Sequence, residues 1–291
     1  MADSEPDLQL VISTGDLPWN DHPGDWWSFF DKGRPIFNRW LFLPAVGNHD
    51  TPGVGSSRDH QSFLHYFAVP TDSPEVAHYQ FQASNVRFYA MNSERPDEFQ
   101  PKGAQYQWLE QRLTDRSSRR QGSPCAWRMA YWHIPPFNAG RRHYRSQFQF
   151  RPLLQLFAER IDWQFSGHEH MYQRFEPIRP VGFRHQLNDQ YGRRRDGGVG
   201  YAIIPSGGVY PEGRFIDYSV NPALRAALAF PRLAASENFY QSAIGFLRVE
   251  VDGARFRLNS LQVDASGQVG LIDAVDYRRS DCEVDWLWGW P

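Results

Sequence analysis

Four short segments of this 291-residue chain place metal-type ligands straight after apolar runs. They are Val11-Ile12-Ser13-Thr14-Gly15-Asp16, Leu43-Pro44-Ala45-Val46-Gly47-Asn48-His49-Asp50, Met129-Ala130-Tyr131-Trp132-His133 and Phe165-Ser166-Gly167-His168-Glu169-His170. Carboxylate and imidazole together suit zinc, manganese or iron. A glycine precedes the ligand in three of the four (Gly15, Gly47, Gly167), where it lets the backbone turn sharply and approach an ion. His168 and His170 are two apart, so a plain strand would present both on one face. Taken singly, each segment has an ordinary structural reading. Gly-Asp is usually a turn, Gly-Asn-His-Asp can cap a helix, and a single histidine after a strand is usually a satisfied core residue. The joint pattern carries the argument. In open α/β sheets ligands bind beyond the carboxyl ends of the strands, so four strand ends of this kind make a metal site by geometry.

The elements that must position these residues are readable from periodicity. Strands are expected at Leu8–Ser13, Phe42–Val46, Tyr79–Ala83, Val86–Asn92, Arg128–His133, Trp163–Ser166, Tyr201–Ser206, Gly245–Val251 and Arg255–Val263. Helices are expected at Asp25–Phe37, Ala104–Asp115 and Phe148–Arg160. Asp252-Gly253 between two alternating runs is a hairpin signal. Strand–helix alternation followed by a strand-rich end implies an α/β sandwich whose last strands pair antiparallel. Residues 181–198 and 210–240 read as surface insertions, the first with three consecutive arginines, Arg193, Arg194 and Arg195. No linker separates two cores, so residues 1–291 are expected to form one domain.

Composition narrows the class. An apolar fraction of 41% and a charged fraction of 22% are those of a globular chain, not a disordered one. A net charge of −2 gives no whole-chain attraction to nucleic acid or to an anionic membrane. No run of 18 apolar residues exists to span a bilayer. Cys125 and Cys282 allow one disulfide at most, or two thiols. The first residues carry neither a basic nor an apolar signal-peptide region.

The four segments resemble the blocks of the calcineurin-like metallophosphoesterase superfamily, on its purple-acid-phosphatase-like side. Gly15-Asp16, Gly47-Asn48-His49-Asp50, His133 and Gly167-His168-Glu169-His170 match four of the five family blocks. Gln105–Leu109 is similar to the helix before the third block, and His133–Gly140 to the His-Pro-Pro loop. Tyr201–Gly208 and Phe246–Gly253 are similar to the closing strand and hairpin. The resemblance covers about residues 7 to 280. It implies a four-layer α/β/β/α sandwich and a binuclear centre of divalent or trivalent ions (Fe, Mn or Zn). It implies further that Asp16 bridges two ions, that Asn48, His133 and His168 complete one, and that His170 binds the other. His49 would act on the leaving oxygen, with Asp50 as a candidate to hold it. Arg142 and His143, just past the loop, would reach substrate or form a solvated turn.

Two departures from the family pattern set further expectations. The first block, Asp-x-His or Asp-x-Gly on the first strand, is absent: only 15 residues precede Asp16, and Asp3 and Asp7 belong to the leader of the next strand. A missing upstream piece carrying one strand and one ligand is therefore expected, unless Asp21 or Asp25 substitutes. Trp19 stands where purple acid phosphatases place a metal-binding Tyr, and indole cannot ligate in that way. The leading expectation is a metal-dependent hydrolase of phosphorylated small molecules, acting on monoesters. The alternative is a catalytically weak metal-binding homologue that serves recognition. A serine hydrolase is disfavoured because no Gly-x-Ser-x-Gly occurs.

Overall fold

The computed structural model describes residues 7–53, 59–114, 125–140, 143, 146–181, 184–187, 191, 198–208 and 244–279. β1 (Leu10–Ser13) lies parallel to β2 (Leu41–Pro44), and α1 (Pro23–Phe37) joins them. Pro23 opens α1 at its first turn, where its missing N–H is no loss. Asp21, just ahead, accepts from Trp26 Nε1 at 2.7 Å and from Ser62 Oγ at 2.9 Å. Both oxygens of Asp21 are thus committed to fixing the helix start. Trp26 is fully buried, and Phe29 and Phe37 of α1 pack against Phe42 of β2, the first tilted and the second edge-on. The short α2 (Gln61–Tyr66) closes this aromatic cluster through Tyr66.

The main sheet has the order β3-β4-β5-β6-β10-β7. β3 (Tyr79–Ala83) and β4 (Val86–Ala90) form an antiparallel hairpin. β4, β5 (Trp127–Tyr131), β6 (Trp163–Ser166) and β10 (Gly200–Ile203) run parallel, and the two-residue β7 (Gln173–Arg174) is antiparallel to β10. Parallel strands bury both faces, and β5 and β6 are buried at every position. On one face α3 (Ala104–Thr114) and the 3-10 segment Ser146–Leu156 bring Leu109, Leu113, Phe150 and Leu153 against Tyr89 and Trp132. The periodicity predicted an α-helix over that last segment, and Pro152 inside it accounts for the tighter winding.

β8 (Ile178–Val181) and β9 (Arg184–Leu187) make a separate antiparallel pair that overlaps the start of the first expected insertion, and Ile178 joins the core on the α3 side. The other face meets a second layer of strands. β11 (Gly245–Asp252), β12 (Arg255–Val263) and β13 (Val269–Arg278) form an antiparallel meander. Gly253, at a φ of 53°, makes the hairpin turn between β11 and β12. β12 alternates, and its buried Phe256 and Leu258 pack on Trp127 and Trp163 of the main sheet. The second expected insertion, 210–240, and Cys282 lie outside the described residues.

Between β1 and β11 lies a cleft of about 740 Å³. Its floor is Phe88, Met129 and Phe165 of the main sheet. Among the described residues, β1 pairs with β2 alone and β11 with β12, apart from one bridge at Ser206 and Ile244. No helix of the described residues is long and apolar enough to cross a membrane.

Candidate metal centre

β1 ends in a turn that few sequences could make. Gly15 has a φ of 98°, and Asp16 follows at 58°. A Cβ on Gly15 would stand 2.6 Å from Gly47 N, so the two loops touch backbone to backbone. Asp50 binds them together. Its carboxylate accepts from Gly47 N at 2.6 Å, from Asp16 N at 3.0 Å and from Leu17 N at 2.8 Å. Burial and the neighbouring Asp16 charge push the Asp50 carboxyl up to about 8, against the pull of those N–H groups. Asp50 therefore clamps the loops and does not hold the His49 ring, which was the sequence expectation. The third and fourth segments arrive from the main sheet, where Gly167 N donates to His133 O at 2.9 Å.

Four side chains from these segments converge. His133 Nε2 is 3.0 Å from Asp16 Oδ2 and 2.9 Å from Asn48 Oδ1. His168 Nδ1 is 2.9 Å from the same Asn48 oxygen and 3.0 Å from His133 Nε2. His133 Nδ1 lies 2.9 Å from Thr14 O. A carbonyl only accepts, so Nδ1 carries the proton, and in the neutral ring Nε2 presents a lone pair. A carboxylate oxygen, an amide oxygen and an imidazole lone pair thus point at one place, with His168 Nδ1 beside them. Such a set fits a cation. With only protons to share, the balance is different. Burial opposes charge on both Asp16 and His133, but their mutual attraction wins. The Asp16 carboxyl is held well below the usual range, and His133 is pushed up to about 9. Burial and the His133 charge together drive His168 far below the usual imidazole value.

The other expected residues fall at different distances from this set. His49 N donates to Asp16 Oδ1 at 2.9 Å, and His49 Nδ1 lies 2.5 Å from Trp19 O. His143 stacks on His168 with ring centroids 4.2 Å apart. His170 is half-buried and bears on His168 through charge, but is not in the mutual group of Asp16, His133 and His168. His168 has a φ of 69°, so His168 and His170 are not on a plain strand, as their spacing suggested. Arg142 lies outside the described residues. Asp21 is committed elsewhere, and Asp25 sits in the first turn of α1.

Three contributors were missed in the sequence. Thr14 orients His133 through its carbonyl. Glu169 is buried, accepts from Asn138 Nδ2 at 2.8 Å and lies 3.4 Å from His143 Nδ1. Glu94 follows β4 at the same sheet edge as the histidines. Burial pushes its carboxyl up to about 7, tempered by the His133 charge. An acid a few residues past the end of a parallel strand was the available signal.

Residues 2–172 match the family profile described as calcineurin-like phosphoesterase, which is more than half of the chain. The chain belongs to the calcineurin-like phosphoesterase family. Among curated proteins, purple acid phosphatase 21 of Arabidopsis thaliana is 28% identical over 181 residues, covering 59% of this chain and 40% of the relative. A phosphoenolpyruvate phosphatase of Allium cepa is 23% identical over 198 residues, covering 63% and 40%. This phosphoesterase chain thus spans about two fifths of the length of those relatives. Among solved structures, purple acid phosphatase PPD1 from yellow lupin (Lupinus luteus) seeds has a TM-score of 0.66 at 19% identity, over 96% of this chain and 48% of that one. A dimetal phosphatase from Danio rerio has a TM-score of 0.51 at 12% identity, over 96% and 87%. At those identities the likeness is one of fold, and the fold is α/β with mixed sheets.

Proposed function

We propose that this chain is a metal-dependent phosphoester hydrolase acting on monoesters, built on an α/β/β/α arrangement of layers. One observation carries the reading: Asp16 Oδ2, Asn48 Oδ1, His133 Nε2 and His168 Nδ1 converge from four separate segments. These four would hold one ion, with Asp16 reaching toward a second ion bound by His170. When bound, two such cations polarise phosphoryl oxygens and make an attacking water more acidic. Asn48 adds an oxygen without adding negative charge that would repel the phosphate. His49 Nδ1 donates to the Trp19 carbonyl, so in the doubly protonated ring the Nε2–H would be the proton given to the departing oxygen, leaving the neutral Nδ1–H imidazole behind. His143, whose ring lies against His168, would donate to a phosphoryl oxygen.

The test is metal analysis beside hydrolysis of a generic aryl phosphate by the purified chain. Two ions and turnover that vanishes on chelation support the enzyme. One observation favours a second reading, a metal-binding scaffold that serves recognition: His170 stands outside the mutual group of Asp16, His133 and His168, the one such cluster among the described residues. One ion per chain without turnover supports the scaffold, and no bound ion removes both readings.

A further inference from the structure

Trp19 is 63% exposed, while Trp26, Trp127, Trp132 and Trp163 are each buried to 1% or less. Exposure alone does not single it out, since Trp27 is as exposed at 69%. Its place does. The Trp19 ring lies 5.8 Å from the His49 ring at 46°, and its carbonyl accepts from His49 Nδ1. The loop that carries it is fixed on both sides. Leu17 N is bonded to Asp50, and Asp21 is bonded to Trp26 and Ser62. His22 N closes a turn onto Asn20 O at 2.8 Å. An apolar ring is therefore held open to solvent, on a built loop, beside the His49 imidazole, which the hydrolase reading sets at the leaving group. A rigid aromatic face binds flat partners at little cost in ordering.

We propose that Trp19 is a specificity-determining residue: its exposed indole stacks on a flat aromatic leaving group, so the site favours phosphate monoesters of aromatic-bearing alcohols over those of saturated ones. This rests on the hydrolase reading and names its substrate class. The main-chain carbonyl that holds His49 is independent of the side chain, so removing the indole leaves His49 placed. Stacking of a base or aryl ring on an aromatic side chain is sequence-tolerant, because every such ring has a π face. Nucleoside and simple aryl-methyl esters therefore share the same recognition.

The experiment compares benzyl phosphate with cyclohexylmethyl phosphate, whose alcohols are near in size and differ in flatness; benzyl alcohol is the slightly stronger acid, and each preference is taken after correction for that inherent difference in leaving ability. With the zinc-loaded chain, kcat/KM is expected to favour the benzyl ester about tenfold, equivalent to ~1.4 kcal/mol. Trp19→Ala should erase the preference and Trp19→Phe should keep most of it. Calorimetry with the two non-hydrolysable phosphonates should give the same ratio of Kd values, a readout free of turnover. Equal handling of both esters with good turnover would leave the hydrolase standing and overturn the role of Trp19. A preference that survives in Trp19→Ala would overturn it too. If neither ester turns over and neither phosphonate binds, the hydrolase reading falls and takes this inference with it.

Discussion

His49 and Asn48 are neighbours with separate tasks. Asn48 presents its amide oxygen to both converging imidazoles, at 2.9 Å each. His49 turns the other way, with Nδ1 on the Trp19 carbonyl, and only its main-chain N–H touches Asp16. His49→Ala keeps that N–H, so metal content should hardly change while turnover drops by ~10²–10⁴-fold. Asn48→Ala should lose metal first and activity with it. Metal analysis of the two purified variants separates the roles, and equal metal loss in both would merge them. At this scale the sequence was informative wherever a ligand follows a strand within a few residues. It misled on Asp50, because adjacency to His49 suggested a side-chain contact. The fold instead brings Gly47, Asp16 and Leu17 N–H groups to that carboxylate. Glu169 hid between two histidines that drew all the attention.

The turn after β2 is where an element meets the centre. A Cβ on Gly47 would lie 2.3 Å from both Asp16 N and Asp16 Oδ1. Neither atom can yield, since one is backbone held by Asp50 and the other accepts from His49 N. Gly47→Ala should therefore cost about 3 kcal/mol or more, by steric displacement of a tightly packed segment. It should also halve metal uptake or worse, measured on whatever fraction folds, with Ala45→Gly as the control away from the contact. Strands of the main sheet were legible because parallel burial writes near-continuous apolar runs, as in Trp163–Ser166. β13 was not. Its exposed face and its Asp and Gly residues dilute the alternation, and its place is set by pairing with β12 along Arg255 to Val263. β7 is too short to carry any periodicity.

For the molecule as a whole, His78 ties stability to pH. It is 8% exposed and packed edge-on to Trp108 at 4.9 Å. Burial, then the charge of Arg112, lowers its pKa from 6.5 to about 4, with Asp72 pulling the other way and His60 and Arg95 adding to the fall. The folded value is depressed, so the neutral ring is the folded form. Its contribution is complete above pH 6.5, declines as pH falls toward 4, and is constant below that. The loss over that window is of order 2 kcal/mol. Urea midpoints for the native chain and for His78→Gln should converge as pH drops from 7 to 4. Parallel curves across the window would mean that His78 titrates normally. Sequence could not show this, since the groups around His78 come from four separated stretches of chain.

The cleft between β1 and β11 has a practical consequence for anyone melting this protein. Leu10, Ile12 and Leu247 wall it, over Phe88, Met129 and Phe165. Environment-sensitive dyes brighten on accessible apolar surface, which is ordinarily the mark of a loosened core. Here the native fold already offers such a berth. Anilinonaphthalene sulfonate should fluoresce with the chain at 25 °C, and Leu247→Glu should dim it without changing the circular dichroism. A dark dye with the native chain would show that the berth is closed. If it glows, dye-reported melting curves begin near their ceiling, and indole emission from the 11 tryptophans becomes the sounder thermometer.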